Sequence, residues 1–575
     1  MRRRLAHSFA PLWRRRVDFS SANNDAALHN SGGKTADRIV IVDTAATCVN
    51  SPFVVGVAQA DLDASQGESV AAGAGVILRE LMQQLPHTEV RLMIEDRGNV
   101  TSVLTQRARE LGASIEILAP GDTVPDILVR RSSLLLALWD GAPSTRPGDT
   151  ADTVSRFLGM RIEHSDAAKA FEIATVLDSA DVTAQLVYWV PTVPRVAVQP
   201  PQPVQPCFLV SMADHVMEAQ PSMPESLRQR LADLDNFNAD YLALTTESRA
   251  LSSESLMRTI PAELAVDDSA DLEFINQQFM KADALANHMQ SRSDRLFNLF
   301  GVMTFTMGLA YLVYDKIVES RLLLLGYMLA LFASFLTYYF FQQKRWLGKH
   351  LSYRALAETL RIRFYLSLAG LDHRLHAGSL IALAGIHRFR GFSWIGFVLD
   401  AINPIAVREV PSTELYLRRT DFVEQEWIEA QYRYFVRKTA RMAKDSRYVK
   451  RMKSVMFGAV LVDIGAMFVF GEALHHVDVI TGLPIKNVLT FCSGFLATVL
   501  GVWELRHSKM ATRELLWQYR NQLTQFSRAR VQLERTTARG ARDELLIELG
   551  DASLMETYLW AIHRYHREHS PPGAH

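Results

Sequence analysis

Hydrophobic and polar positions follow two different patterns along the chain. Arg38–Val42, Phe53–Val57, Val90–Ile94, Ser114–Leu118, Leu134–Trp139 and Leu186–Val190 are short runs rich in Val, Ile and Leu, the size of buried strands. Between several of them lie stretches with helical spacing: Val70–Leu85 stopped by Pro86, Val100–Leu111 stopped by Gly112, and Asp149–Leu158. Continuous apolar strands alternating with helices predict an α/β fold, a doubly wound parallel sheet covered on both faces, over residues 38–195.

After Val196 the pattern changes. Four prolines between Val196 and Pro206 predict an extended linker over 196–223. From Pro224 to Gln290 the spacing is helical and amphipathic. Four long apolar runs then follow: Leu296–Tyr314, Leu322–Phe341, Val455–Phe470 with its flanks, and Asn487–Trp503. Each approaches the roughly 20 residues that cross a bilayer, so the second half is expected to be an α-helical membrane domain with four transmembrane helices in two hairpins. The organisation expected is a basic tail (1–37), the α/β domain (38–195), the linker (196–223), amphipathic helices with the first hairpin (224–372), and a central segment with the second hairpin and a C-terminal helix (373–565). Lys344, Arg345, Lys349 and Arg354 follow the second span, Lys444 to Lys453 precede the third, and Arg506, Lys509 and Arg513 follow the fourth. This distribution predicts a multi-pass protein with both termini in the cytoplasm.

The membrane half reads as a duplication. Phe274-Ile-Asn-Gln-Gln-Phe279 before the first hairpin resembles Trp427-Ile-Glu-Ala-Gln-Tyr432 before the second, and a polar helix follows each, so the unit would be helix, span, span, helix. Within the spans Gly301 and Gly308, Gly326 and Ala333, Gly458 and Gly465, and Gly494 and Gly501 are spaced by seven, which keeps each pair on one face suited to close helix packing. Asp463 interrupts the third span; unpaired, it would cost about 2.5–3.5 kcal/mol on insertion scales, so it should face the bundle interior or a water-filled path.

Composition narrows the field. Among 575 residues, 62 Lys and Arg balance 62 Asp and Glu, so charge gives no reason to expect a nucleic-acid partner. The three cysteines, Cys48, Cys207 and Cys492, are far apart, which argues against both a disulfide framework and a zinc site. His475-His476 has no companion ligands, and no metal is expected. No catalytic constellation stands out and no Walker loop is present, so the chain is not expected to be an enzyme.

The most specific local segment is Leu134-Leu-Leu-Ala-Leu-Trp-Asp-Gly-Ala-Pro143, continuing to Pro147-Gly-Asp-Thr150. A buried strand delivers Asp140 and Gly141 to its carboxyl end, Gly148 allows close backbone approach, and Asp149-Thr150 opens a helix whose amides suit a phosphate. This segment resembles the Trp-Asp-Gly strand end and Gly-Gly-Thr turn of SLOG (Smf/DprA–LOG) Rossmann-like domains. Phe53-Val-Val-Gly-Val-Ala-Gln-Ala-Asp61 stands where that family has a Gly-Val-Thr-Gly-His-Arg loop, and Gly56 and Val57 fit it. Gln59 replaces its second glycine and Asp61 a basic residue, and Glu95-Asp-Arg-Gly-Asn99 departs from an Ala-Glu-Gly-Ala-Asp segment. The resemblance implies a nucleotide or nucleotide-derived ligand, no other cofactor, and contacts at Gly56, Asp140, Gly141, Gly148 and Thr150.

Lys281-Ala-Asp-Ala-Leu-Ala286, Trp346 and Tyr353-Arg-Ala-Leu-Ala-Glu-Thr-Leu-Arg361 are similar to SLATT modules, SLOG-associated two-transmembrane effectors. The combined resemblance implies a homo-oligomeric membrane effector in a bacterial inner membrane, with a cytoplasmic nucleotide-sensing domain, forming a pore or perturbing the lipid bilayer in bacterial defence. The alternatives are a membrane-anchored nucleotide-processing enzyme and a non-catalytic membrane scaffold with a degraded ligand site.

Overall fold

The structure is a computed structural model. It describes residues 40–41, 50–60, 66–142, 144–158, 186–192, 205–211, 217–245, 255–265, 269–371, 391–404, 412–475, 478–480, 483–509 and 512–568. The basic tail and Asp61 lie outside the described residues. The chain forms two compact units, one from residues 1–284 and 356–420, the other from 285–355 and 421–575.

The strands are β1 (Val40–Ile41), β2 (Phe53–Gln59), β3 (Val90–Glu95), β4 (Ser114–Leu118), β5 (Leu134–Trp139), β6 (Leu186–Pro191), β7 (Cys207–Ser211), β8 (Met217–Gln220), β9 (Asp478–Ile480) and β10 (Leu483–Pro484). The helices are α1 (Gly67–Gln84), α2 (Asn99–Glu110), α3 (Val124–Arg131), α4 (Thr150–Phe157), α5 (Glu225–Leu242), α6 (Ser269–Lys316), α7 (Arg321–Lys344), α8 (Trp346–Leu368), α9 (Ile395–Ala401), α10 (Thr413–Val423), α11 (Ala430–His475), α12 (Ile485–Lys509), α13 (Thr512–Arg535) and α14 (Arg539–Glu568).

In the first unit eight strands pair in the order β1-β4-β3-β2-β5-β6-β7-β8. Strands β2 to β6 are parallel. The chain steps outward from β2 through β3 to β4, then returns to lay β5 on the other side of β2, so the topology reverses between β2 and β5. Every residue of both strands is buried, which is why Leu134–Trp139 is apolar without alternation. Helices α1 and α2 pack on each other, while α3 and α4 share a core with Val54, Met93, Leu135 and Trp139.

The α/β fold is therefore as the hydrophobic pattern predicts, with three corrections. The linker expected over 196–223 carries β7 and β8, which extend the sheet antiparallel to β6. Cys207-Phe-Leu-Val-Ser211 is itself apolar, and Phe208 meets Tyr188 edge-on at 5.0 Å. Helix α3 has no counterpart in the sequence reading. Residues 391–404, expected with the second hairpin, belong to this unit. Phe397 of α9 packs edge-on against Phe53 at 5.0 Å, Arg131 Nη2 donates to the Ala401 carbonyl at 3.5 Å, and Arg363 donates to Asn403 at 3.0 Å. The buried Phe392, Trp394, Ile395 and Phe397 needed an apolar partner surface, and sequence spacing does not reveal a non-local one.

Helix α5 is tied to the sheet through Asp235, which accepts from the His87 amide at 2.8 Å and the Thr88 hydroxyl at 2.9 Å. Lys281 is 1% exposed, hydrogen-bonded to Asn238 and held over the Phe237 ring at 4.5 Å. Burial pushes its ammonium well below the ordinary lysine value.

The second unit is helical. Helices α6, α7, α11 and α12 are each long and apolar enough to cross a membrane and contain the four expected runs. None of their apolar windows is buried by the protein, and Leu322, Val462 and Phe468 are 79%, 73% and 90% exposed. Apolar surface on this scale is matched to lipid rather than water, and the chain is a membrane protein. The expected order of helix, span, span, helix occurs twice: α6, α7 and α8, then α11, α12 and α13, each set opening on a helix of more than 40 residues. A π-helical turn, Glu424–Glu429, precedes α11. Its Trp427 packs on Phe526 of α13 at 6.2 Å, and Glu429 pairs with Arg433 and Arg530.

Of the spaced glycines, Gly308 lies under Thr498 and Gly494 under Leu312, each so close that a Cβ would come within 2.6 Å of the neighbouring side chain. Gly301 approaches Val502 more loosely, at 3.8 Å. A Cβ at Gly326, Gly458, Gly465 or Gly501 would meet nothing within 4 Å.

Candidate ligand cavity

Three carboxyl-terminal strand ends meet where the sheet reverses. Strand β2 ends in Gln59, β3 in Glu95 and β5 in Trp139, and between them opens a cavity of about 430 Å³. This is within the usual range for small-molecule sites and at the place such sheets bind ligands. Val57, Ala58, Leu128 and Trp139 make an apolar floor, while Arg97, Asp140, Arg146 and Asp149 stand among the polar lining.

Of the expected contacts, Asp140, Gly148 and Thr150 line this cavity together. Asp140 Oδ1 accepts from the Ala142 amide at 3.0 Å, closing a tight turn in which Gly141 takes a φ of +83°. Gly148 has a φ of +82°, a left-handed conformation that favours glycine. Gly56 is not among the lining residues. It sits inside β2, where a Cβ would lie 1.9 Å from Ser132 Oγ, so its role is close packing.

The α4 turn is already filled by its own side chains. Asp149 is the N-cap residue: it accepts from the amides of Thr145 at 2.7 Å, Arg146 at 3.1 Å and Asp152 at 2.8 Å. Asp152 accepts from the Gly148 amide at 2.7 Å. Burial pushes the Asp149 carboxyl up, but the backbone hydrogen bonds outweigh it and hold the group below the ordinary value. Two carboxylates thus occupy positions where a phosphate would sit at a helix start.

Residues that sequence reasoning did not assign complete the cavity. Arg97 donates from Nε to Glu95 Oε2 at 2.7 Å and from Nη1 to the Gln59 carbonyl at 2.8 Å, and Gln59 Nε2 donates to the Glu95 carbonyl at 3.2 Å. These bonds lock the β2 and β3 loops together. The unusual residues at Gln59 and in Glu95-Asp-Arg-Gly-Asn99, each at or just past a strand end, were the signal available. Arg146, at the rim, is exposed. Among the described lining residues none is His, Cys, Ser or Lys. The lining is an apolar floor with a mixed-charge rim.

No protein-family model, curated protein or solved structure matches the chain. Asp463 and the spaced glycines lie in the spans and are not among the lining residues.

Proposed function

We propose that the chain is a membrane-embedded effector whose α/β domain senses a nucleotide or nucleotide-derived signal. The four spans respond by opening a pore or perturbing the bilayer in bacterial defence, as a homo-oligomer with cytoplasmic termini. The observation that carries this reading is the gathering of Asp140, Gly148 and Thr150 around one cavity at the switch point of a parallel sheet, in a chain with four apolar spans. With the α4 turn self-capped, a nucleoside would rest on the Trp139 side and an anionic group would face Arg146.

The test uses the full chain in dye-loaded liposomes, challenged with mono-, di- and cyclic nucleotides and dinucleotides. Dye release by one class, together with a raised melting temperature, is the expected result. Arg146→Ala should weaken both. If no member of the panel moves either readout, the sensing reading falls and the scaffold with a degraded site takes its place, a reading that the carboxylates in the α4 turn already favour.

A further inference from the structure

Spans three and four meet in a defined antiparallel register. Lys453 pairs with Glu504 at one end of the α11–α12 interface. Fourteen residues on along α11, and fourteen back along α12, the Thr490 hydroxyl meets Met467 Sδ at 3.4 Å. Asp463 is one helical turn from Met467 on the same face, which sets it level with Gly494. Gly494 offers no side chain, and Leu312 of the first span presses on it from α6. Phe305 and Phe495, with ring centroids 5.7 Å apart, close the same contact between spans one and four.

Both carboxylate oxygens of Asp463 are occluded by protein, and among the described residues neither has a hydrogen-bond partner. The described hydroxyls of α12 donate within their own helix. Thr490 donates to the Lys486 carbonyl at 2.8 Å, Ser493 to the Thr490 carbonyl at 3.0 Å, and Thr498 to the Gly494 carbonyl at 2.8 Å. Charged groups on the packed helices are distant or spoken for. Lys453 and Glu504 pair with each other roughly 15 Å along the helices, and Lys486 is about 12 Å along α12 from Gly494. Asp315 pairs with Lys316 at the end of α6. The Cys492 thiol on α12 is exposed.

A buried carboxylate with no donor or cationic side chain beside it among the described residues needs its charge cancelled from outside the chain. We infer that Asp463 is the binding site of a small monovalent cation, a proton or a sodium ion, at the seam of the third and fourth spans. One negative charge matches one positive charge. The hydroxyl oxygens of Thr490 and Ser493 on α12, having donated their hydrogens to backbone carbonyls, keep lone pairs to offer. Occupancy removes a charge from the seam and favours its closed packing, so the cation tunes the membrane half whether or not the α/β domain senses a nucleotide.

Melting of the full chain in detergent tests this, with sodium replaced by choline at constant ionic strength, across a pH series, for the parent, Asp463→Asn and Asp463→Glu. A sodium site raises the parent's melting temperature by several degrees in sodium over choline. A proton site gives equal melting in both salts but a rise on acidification steeper than that of Asp463→Asn. Asp463→Glu keeps the response and Asp463→Asn loses it. Superimposable salt and pH responses of the parent and Asp463→Asn overturn the proposal. Should Asp463→Asn fail to fold, infrared difference spectra of the parent and Asp463→Glu on cation exchange replace it, and a carboxyl band that the Glu substitution does not move is equally fatal.

Discussion

Asp149 and Asp463 are the same side chain in opposite surroundings. At the α/β cavity Asp149 accepts from three backbone amides, whereas in the third span Asp463 accepts from none among the described residues. The contrast follows from the two architectures. A sheet ends in loops whose amides are free to turn inward, and a helix start leaves several more unpaired. A bundle of long helices spends its amides within each helix. The α/β unit therefore supplies its own anion at the α4 turn, while the acid of the third span has no donor among the described residues.

Asp400 stands between these extremes and sharpens the comparison most. The only hydrogen bond to its carboxyl among the described residues is from Ser133 at 3.5 Å. Burial pushes its carboxyl up to about 7, against the downward pull of Arg230 and of the Ser133 hydroxyl. The ordinary value is 3.8, so between there and about 7 the folded chain keeps a proton that the unfolded chain releases. Its contribution to stability is whole below that window, falls as pH rises through it, and is flat above it. Urea unfolding of the full chain across this range should show the decline, and Asp400→Asn should remove it. An unchanged slope in Asp400→Asn would place Asp400 with the well-paired acids like Asp149.

A second test asks whether the spaced glycines are equivalent. At Gly308 a Cβ would lie 2.6 Å from Thr498 Cγ2, and the bond from the Thr498 hydroxyl to the Gly494 carbonyl fixes that side chain. Gly308→Ala must push α6 and α12 apart, at a cost of about 1–3 kcal/mol. Gly458→Ala meets nothing within 4 Å, so only helix propensity acts, favouring alanine by up to about 1 kcal/mol. Thermal unfolding in detergent separates the two. Equal losses would mean that the Gly458 face is packed against a second copy of the chain.

The sequence made some of this legible and hid the rest for physical reasons. Leu134–Trp139 was readable because a strand buried on both faces must be apolar throughout, and the spans because lipid demands long apolar runs. Asp140, Gly148 and Thr150 were readable because a strand end followed by a glycine turn and a capped helix has a local signature. Gly56 misled because a strand glycine making room for Ser132 looks, in sequence, like a binding-loop glycine. The Arg97–Gln59 clamp joins loops 38 residues apart, and the docking of α9 joins segments hundreds of residues apart. Neither leaves a periodic trace. Cys207–Ser211 was masked by the prolines before it, whose effect on the chain ends where the strand begins.

Asp149→Ala carries the smallest expected effect and returns to the first contrast. Removing an N-cap carboxylate costs about 1 kcal/mol. Because its carboxyl is held below the ordinary value, that stabilisation is present at neutral pH and is lost as pH falls below 3.8 and through the lowered folded value, so parent and variant should converge in acid. The variant also leaves the amides of Thr145, Arg146 and Asp152 without their acceptor at the positive end of α4. Inorganic phosphate at constant ionic strength should then raise the melting temperature of Asp149→Ala more than that of the parent. Equal gains would mean that the carboxylate of Asp149 and an outside phosphate do not compete for the same amides, and the α4 turn would then not be the anion position of the α/β unit.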